Sequence, residues 1–273
     1  MLRRLWMDVA HRFGRPHGSD GDRVVKQATI NGYRILVFVN EEVGCSIYCY
    51  RSFERDESAL IASVIREDAV CLDVGANVGY YSLLLASRAP KGQVHAFEPL
   101  PRNSHLLNAS LLLNGFDNVV LNCCAVGNVD GRTSFTVSQD GAYSSFLDTE
   151  RRARQSTITV PVTTLASYCR DRGLLRIDFL KLDVEGAEQM VLEGAAACFA
   201  DAQLKPKIMM IELYEPMLRR YATSIEAIVA GLRDVGYFPF VCRRGNVIPF
   251  EREHHDRFWN VFFADDPARL ASR

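Results

Sequence analysis

Four carboxylates close four apolar runs: Asp73 in V-C-L-D-V, Glu98 in V-H-A-F-E, Asp183 in D-F-L-K-L-D and Glu212 in K-I-M-M-I-E-L. In an open α/β sheet, ligands bind at the carboxyl ends of the strands, so each of these acids is placed to meet one. Cys71–Gly79 reads C-L-D-V-G-A-N-V-G, a strand followed by a tight loop with Gly75, Ala76, Asn77 and Gly79. Glycine lets a backbone turn sharply and approach a ligand closely, and Asn77 is a residue type that tolerates a left-handed conformation. A helix follows from Tyr80 and Tyr81.

The glycine spacing is G-x-x-x-G rather than the dinucleotide pattern G-x-G-x-x-G, and Asp73 before the loop would repel a pyrophosphate. A carboxylate there suits an ammonium group. Glu98, followed by Pro99, is placed to accept both hydroxyls of a ribose. A ligand with an amino-acid end and a nucleoside end is S-adenosyl-L-methionine, the cofactor expected here.

The second constellation is D-F-L-K-L-D-V-E-G-A-E, residues 178–188. Asp183 faces the same crevice, and three roles are open to it: holding the methionine end, acting as general base, or binding a metal. Glu212 ends the next strand. Two neighbouring carboxylates raise one pKa toward neutrality, share a divalent cation, or form part of a buried ion-pair network. Asp183 and Glu212 are the expected acid/base pair. No metal is expected, because only Glu185 offers itself as a third oxygen. Glu188 reads as a first-turn helix carboxylate. Ser144, between Tyr143 and Ser145, and Ala125, after Cys124, are expected to border the cofactor. His254 and His255 read as loop residues before the final strand.

The elements that must position these groups alternate strand and helix from Ala69 onward. Helices are expected at about 80–88, 102–114, 187–200 and 224–235, giving a doubly wound, mostly parallel sheet. The runs Y-F-P-F-V-C and F-W-N-V-F-F-A are expected to pair as a hairpin at one sheet edge. Residues 128–162 interrupt the rhythm as an insertion with strands at about 132–137 and 157–162. Before the main domain, I-L-V-F-V and C-S-I-Y-C-Y read as two strands around a turn at 40–44, and Ser58–Arg66 reads as a helix. Leu2, Leu5, Trp6, Val9 and Phe13 recur at helical spacing, for packing on the protein's own core or on a second subunit in preference to an interfacial membrane anchor, since only three arginines flank a short apolar face. The expected divisions are 1–26 (helix and linker), 27–66 (accessory β/helix element) and 67–267 (catalytic domain).

Composition excludes several classes. The chain has 273 residues, 48% apolar and 24% charged, with a formal net charge of −1. That is globular composition, without the basic excess of a nucleic-acid-coating protein. No apolar run reaches the length of a membrane span. The eight cysteines form no C-x-x-C pair, which fits reduced thiols in a cytoplasmic setting.

Four blocks carry a specific resemblance: L-D-V-G-A-N-V-G-Y-Y-S (72–82), H-A-F-E-P-L-P-R-N (95–103), V-P-V-T-T-L (160–165) and L-K-L-D-V-E-G-A-E (180–188). From about residue 45 to 265 the chain resembles the FkbM family of S-adenosylmethionine-dependent methyltransferases. The resemblance implies a Rossmann-like class I fold, with a seven-stranded sheet whose last strand is antiparallel. It also implies O-methylation of a small-molecule or glycan hydroxyl. Leu100 departs from the polar residue more usual after Glu-Pro, at a position without expected chemistry.

Overall fold

The computed structural model describes residues 23–148, 150 and 154–271. The expected helix at 2–13 and the linker at 15–22 lie outside them. The main sheet is built from β3 (Val70–Val74), β4 (Gln93–Phe97), β5 (Val119–Asn122), β9 (Phe179–Leu182), β10 (Ile208–Glu212), β11 (Phe238–Arg243), β12 (Asn246–Pro249) and β13 (Asn260–Ala264). Their order is β12-β11-β13-β10-β9-β3-β4-β5. Strands β5, β4, β3, β9 and β10 run parallel. β13 is antiparallel to both β10 and β11. The expected seven strands are therefore joined by an eighth. β11 and β13 do pair antiparallel as expected, but the intervening β12 takes the edge by pairing with β11, and β13 lies inside, between β10 and β11.

Side chains alternate between the two faces of this sheet, as strand geometry requires. Cys71, Phe179, Met210 and Phe262 enter one core cluster; Leu72, Leu180, Met209 and Phe263 enter the other. Helices α2 (Arg55–Val64), α3 (Tyr80–Arg88) and α4 (Pro101–Asn114) cover the first face. Helices α5 (Leu165–Arg172), α6 (Glu188–Gly194), α7 (Ala196–Ala200) and α9 (Ile225–Asp234) cover the second, with α8 (Glu215–Arg220) leading into α9. The helix expected at 187–200 is broken at Ala195. Gly194 packs so closely that a Cβ there would lie 2.1 Å from Gly127 O.

The N-terminal element departs from expectation. β1 (Val25–Ile30) and β2 (Tyr33–Phe38) form the hairpin. They turn at Asn31-Gly32, where φ is +50° and +88°, the positive pair that a two-residue hairpin turn favours. C-S-I-Y-C-Y is not a strand but most of helix α1 (Glu42–Tyr50). Its β-rich composition yields to packing: Ile47 is fully buried, and a Cβ at Gly44 would stand 2.1 Å from Phe38 O.

The insertion folds as a three-stranded sheet of β6 (Ala125–Val126), β8 (Arg154–Thr163) and β7 (Gly131–Ser138). It has its own small core of Leu100, Ala125, Phe135, Val137, Val160 and Val162. Among the described residues no helix is long and apolar enough to cross a membrane.

Candidate active site

The chain leaves β3 toward β4 and β5 on one side and returns through β9 and β10 on the other. This reversal creates a crevice at the carboxyl ends. A cavity of about 670 Å³ opens there. In the loop after β3, Gly75 N and Ala76 N both donate to Phe97 O (3.1 and 2.9 Å), and Asn77 N donates to Glu98 Oε2 at 2.8 Å. Positive φ recurs at Gly75 (+80°), Asn77 (+51°) and Gly79 (+93°). A Cβ on Gly75 would stand 1.9 Å from Asp183 O, and one on Gly79 would stand 2.2 Å from Leu107 Cδ1. These glycines are required by the chain's packing on itself. Gly75 also lines the cavity, and only the expectation for Gly79, which does not, is corrected.

Asp73 is also corrected. It is fully buried and lies behind the cavity rather than lining it, as does Gly79. Its Oδ2 accepts from Ser82 Oγ at 2.6 Å, and its Oδ1 lies 3.4 Å from Lys181 Nζ. The Lys181 ammonium also donates to Gly75 O at 2.8 Å and sits 3.2 Å from Asp183 Oδ2. Burial opposes its charge, but Asp183 and Asp73 outweigh that and hold its pKa above the ordinary lysine value. Lys181 is not among the residues that motif spacing singles out. The signal was present: a lysine inside a four-residue apolar strand needs a buried counter-charge.

Glu98 does line the cavity. Its Oε1 accepts from Leu100 N at 2.8 Å, opposite the bond from Asn77, and each oxygen keeps a second lone pair. Burial pushes its pKa up to about 7 against the pull of those two backbone donors. Ala76, Asn77, Tyr80, Tyr81 and Pro99 line the same cavity. Ala125 and Ser144 border it from the insertion side, beside Phe135 and Phe146. Ser144 Oγ accepts from Ser138 N at 3.0 Å.

Asp183 and Glu212 are brought together in the cavity wall. With Glu185 they place carboxylate oxygens within 4.8 Å of one another. Glu188 lies outside the cavity. It is buried at the start of α6, and its Oε1 accepts from Val184 N and Gly186 N (3.1 and 3.2 Å). Burial pushes its pKa up to about 7. His254 and His255 are likewise apart, with His255 stacked on Phe250 at 5.0 Å between ring centroids.

Residues that spacing gave no reason to suspect close the site. Tyr50, Phe53 and Glu54, from the end of α1 and the turn into α2, line it together with Trp259. Glu54 has φ +41° and ψ 62°, a conformation that costs a non-glycine residue roughly 1–3 kcal/mol. Tyr81 O–H donates to Glu54 Oε2 at 2.5 Å. Burial raises the Glu54 pKa, the Tyr81 hydrogen bond opposes this, and Asp183 adds to it.

The sheet order, with the reversed β13 lying between β10 and β11, and the crevice at the switch point define a class I methyltransferase fold. A family model described as "Methyltransferase FkbM domain" matches residues 73–239, more than half of the chain. The chain belongs to the FkbM methyltransferase family. It is 30% identical over 212 residues to the AMB antimetabolite synthetase AmbE of Pseudomonas aeruginosa, covering 64% of this chain and 10% of that one. It is 27% identical to the 2-O-methyltransferase NoeI of Sinorhizobium fredii, over 50% of this chain and 60% of NoeI. It is 28% identical to the 31-O-demethyl-FK506 methyltransferase FkbM of Streptomyces tacrolimicus, over 54% of this chain and 67% of that protein. The matches thus span a tenth of AmbE and about two thirds or less of the other two. Tyr50, Glu54 and Trp259 lie outside the residues that the family model matches.

Proposed function

We propose that the protein transfers a methyl group from S-adenosyl-L-methionine to a hydroxyl oxygen of a small-molecule or glycan acceptor. The observation that carries this is one cavity holding the 75–77 loop, Glu98, Asp183 and Glu212 together. The donor fits these residues. Glu98 has acceptor capacity left for ribose hydroxyls, and Asp183, rather than the enclosed Asp73, is the carboxylate within reach of an ammonium group. Phe135 and Phe146 offer apolar surface beside Ala125 for a base. The names of NoeI and of the Streptomyces FkbM support an oxygen acceptor.

The donor supplies a methyl group already activated on a sulfonium, so the protein's work is alignment and proton removal. Lys181 pairs with Asp183 and ties the ends of β3 and β9. Glu212, one strand further, takes the acceptor's hydroxyl proton. Lys181 already places a positive charge 3.2 Å from Asp183, and we propose that no metal is needed. The free state of all eight cysteines supports a reducing, cytoplasmic setting.

Radiolabelled methyl transfer to a panel of hydroxylated acceptors tests this. Transfer to oxygen, undiminished by a chelator, is expected. Glu212→Gln should lower the rate roughly 10²–10⁴-fold without changing donor affinity. No transfer to any hydroxyl, or full activity in Glu212→Gln, contradicts the assignment.

A further inference from the structure

We propose that Cys45 and Cys49 form a redox modification site: a low-molecular-weight disulfide such as oxidised glutathione joins them in a reversible disulfide that distorts α1 and weakens binding in the cavity. The site goes beyond the methyltransferase reading, and only its functional readout rests on that reading.

The two thiols stand four residues apart on α1 and so share one face of it. Their sulfurs are 3.9 Å apart, and both residues are half-buried rather than sealed in the core, unlike Cys71, Cys169, Cys198 and Cys242.

The helix decides how a bond between them behaves. Residues four apart on a helix hold their Cβ atoms about 5–6 Å apart, whereas a disulfide draws them to about 3.5–4.5 Å. The turn from Cys45 to Cys49 must therefore tighten when the sulfurs join. Packing resists that movement: Ile47 is fully buried, and Gly44 lies so close to β2 that a Cβ would stand 2.1 Å from Phe38 O. A disulfide formed under such strain is easily reduced. Easy reduction suits a transient switch in a reducing compartment.

The same turn is part of the cavity wall, which α1 lines through Glu42, Val43, Ser46 and Tyr50. The first turn of α1 also holds the insertion. Glu42 N donates to Asp140 Oδ2 at 2.8 Å, and the Tyr143 hydroxyl donates to Glu42 Oε2 at 2.5 Å. Tightening the helix moves Ser46 and pulls on these two bonds.

The chemistry is thiol–disulfide exchange. Cys49, as thiolate, attacks one sulfur of oxidised glutathione and expels a glutathione thiolate, which takes up the Cys49 proton. Cys45 then attacks Cys49 Sγ and expels the second glutathione thiolate, which takes up the Cys45 proton. Two electrons pass from the two cysteines to glutathione, which leaves as two thiols. Burial, and then the neighbouring Cys49, push the Cys45 pKa up to about 12. Cys49 therefore attacks first, and capping it removes its share of that shift.

The test treats the full chain with oxidised glutathione, alkylates it and digests it with trypsin. Residues 35–51 form one tryptic peptide, with Cys45 and Cys49 as its cysteines. On oxidation it should lose two hydrogens in mass and resist alkylation, and dithiothreitol should reverse both. Affinity for S-adenosylhomocysteine should fall roughly tenfold or more, the scale of one lost hydrogen bond to a charged group, and recover on reduction. A double variant, Cys45→Ser with Cys49→Ser, should keep the affinity of the reduced protein with or without oxidant. Cys49→Ala gives the same comparison if the double variant does not fold. Cys123→Ser, which removes an exposed thiol, should switch as the unmodified protein does. Glutathione retained on the peptide without an internal disulfide, a disulfide that leaves affinity unchanged, or a loss that persists in the Cys45 and Cys49 variants overturns the proposal. Failure of the reduced protein to bind S-adenosylhomocysteine would instead remove the donor assignment. Amide hydrogen exchange within residues 35–51 then reads the switch: faster exchange on oxidation supports it, and unchanged exchange overturns it.

Discussion

Glu98 links pH to both binding and stability, with opposite signs. Its folded pKa of about 7 lies above the ordinary 4.5 because the carboxylate is buried. The stability it contributes is fully present below the ordinary value and is lost as pH rises through about 7. Ribose hydroxyls, being donors, favour the carboxylate. Affinity for S-adenosylhomocysteine should therefore weaken as pH falls through the same range. Calorimetry across that range should show proton release on binding, and Glu98→Gln should flatten the dependence. Glu188 has a similarly raised pKa but lies outside the cavity. Glu188→Gln should flatten only the pH dependence of unfolding. Glu98 was legible in the sequence because it ends a buried strand directly before a proline. Asp73 is ambiguous in the sequence. Its position beneath a glycine loop is shared by ligand carboxylates and by carboxylates that neutralise a buried lysine, and only the partner strand distinguishes them.

At the scale of elements, Lys181 joins two strand ends. Its ammonium reaches Gly75 O and Asp73 after or within β3 and Asp183 after β9. Lys181→Met should destabilise the protein by about 3–5 kcal/mol, since it leaves the buried Asp73 charge uncompensated. Chemical denaturation measures this, and an unchanged midpoint would show that the pair is not a structural tie. Gly75→Val should abolish cofactor binding by displacing Asp183, whose carbonyl oxygen would lie 1.9 Å from the new Cβ. The parallel strands were readable because they are apolar runs bounded by glycine, asparagine and charge. Residues 45–50 were not, because β-rich composition cannot reveal that Gly44 and Ile47 must pack on β2. The hairpin turn at Asn31-Gly32 was present in the sequence as an N-G pair between two apolar-rich runs and is the better signal.

At the scale of the whole molecule, the sheet builds half of the site and distant segments build the rest. The cavity is closed by the stretch 50–55, by the insertion around Tyr143 and Ser144, and by Trp259. The Tyr143 hydroxyl donates to Glu42 Oε2 at 2.5 Å, joining the insertion to α1. Chain spacing could expose the glycine loop and the strand-end acids, since each is local. It could not expose Glu54, which arrives from the turn into α2, or Trp259, which comes beside the end of β10 only when β13 inserts between β10 and β11. The central claim is that this composite cavity is the donor site. Isothermal titration of S-adenosylhomocysteine into the unmodified protein and into Glu98→Ala tests it most directly. Saturable one-to-one binding is expected, weakened by roughly 1.5–3 kcal/mol in the variant, the range for hydrogen bonds to a charged group. No binding to the unmodified protein, or equal affinity in Glu98→Ala, would contradict it.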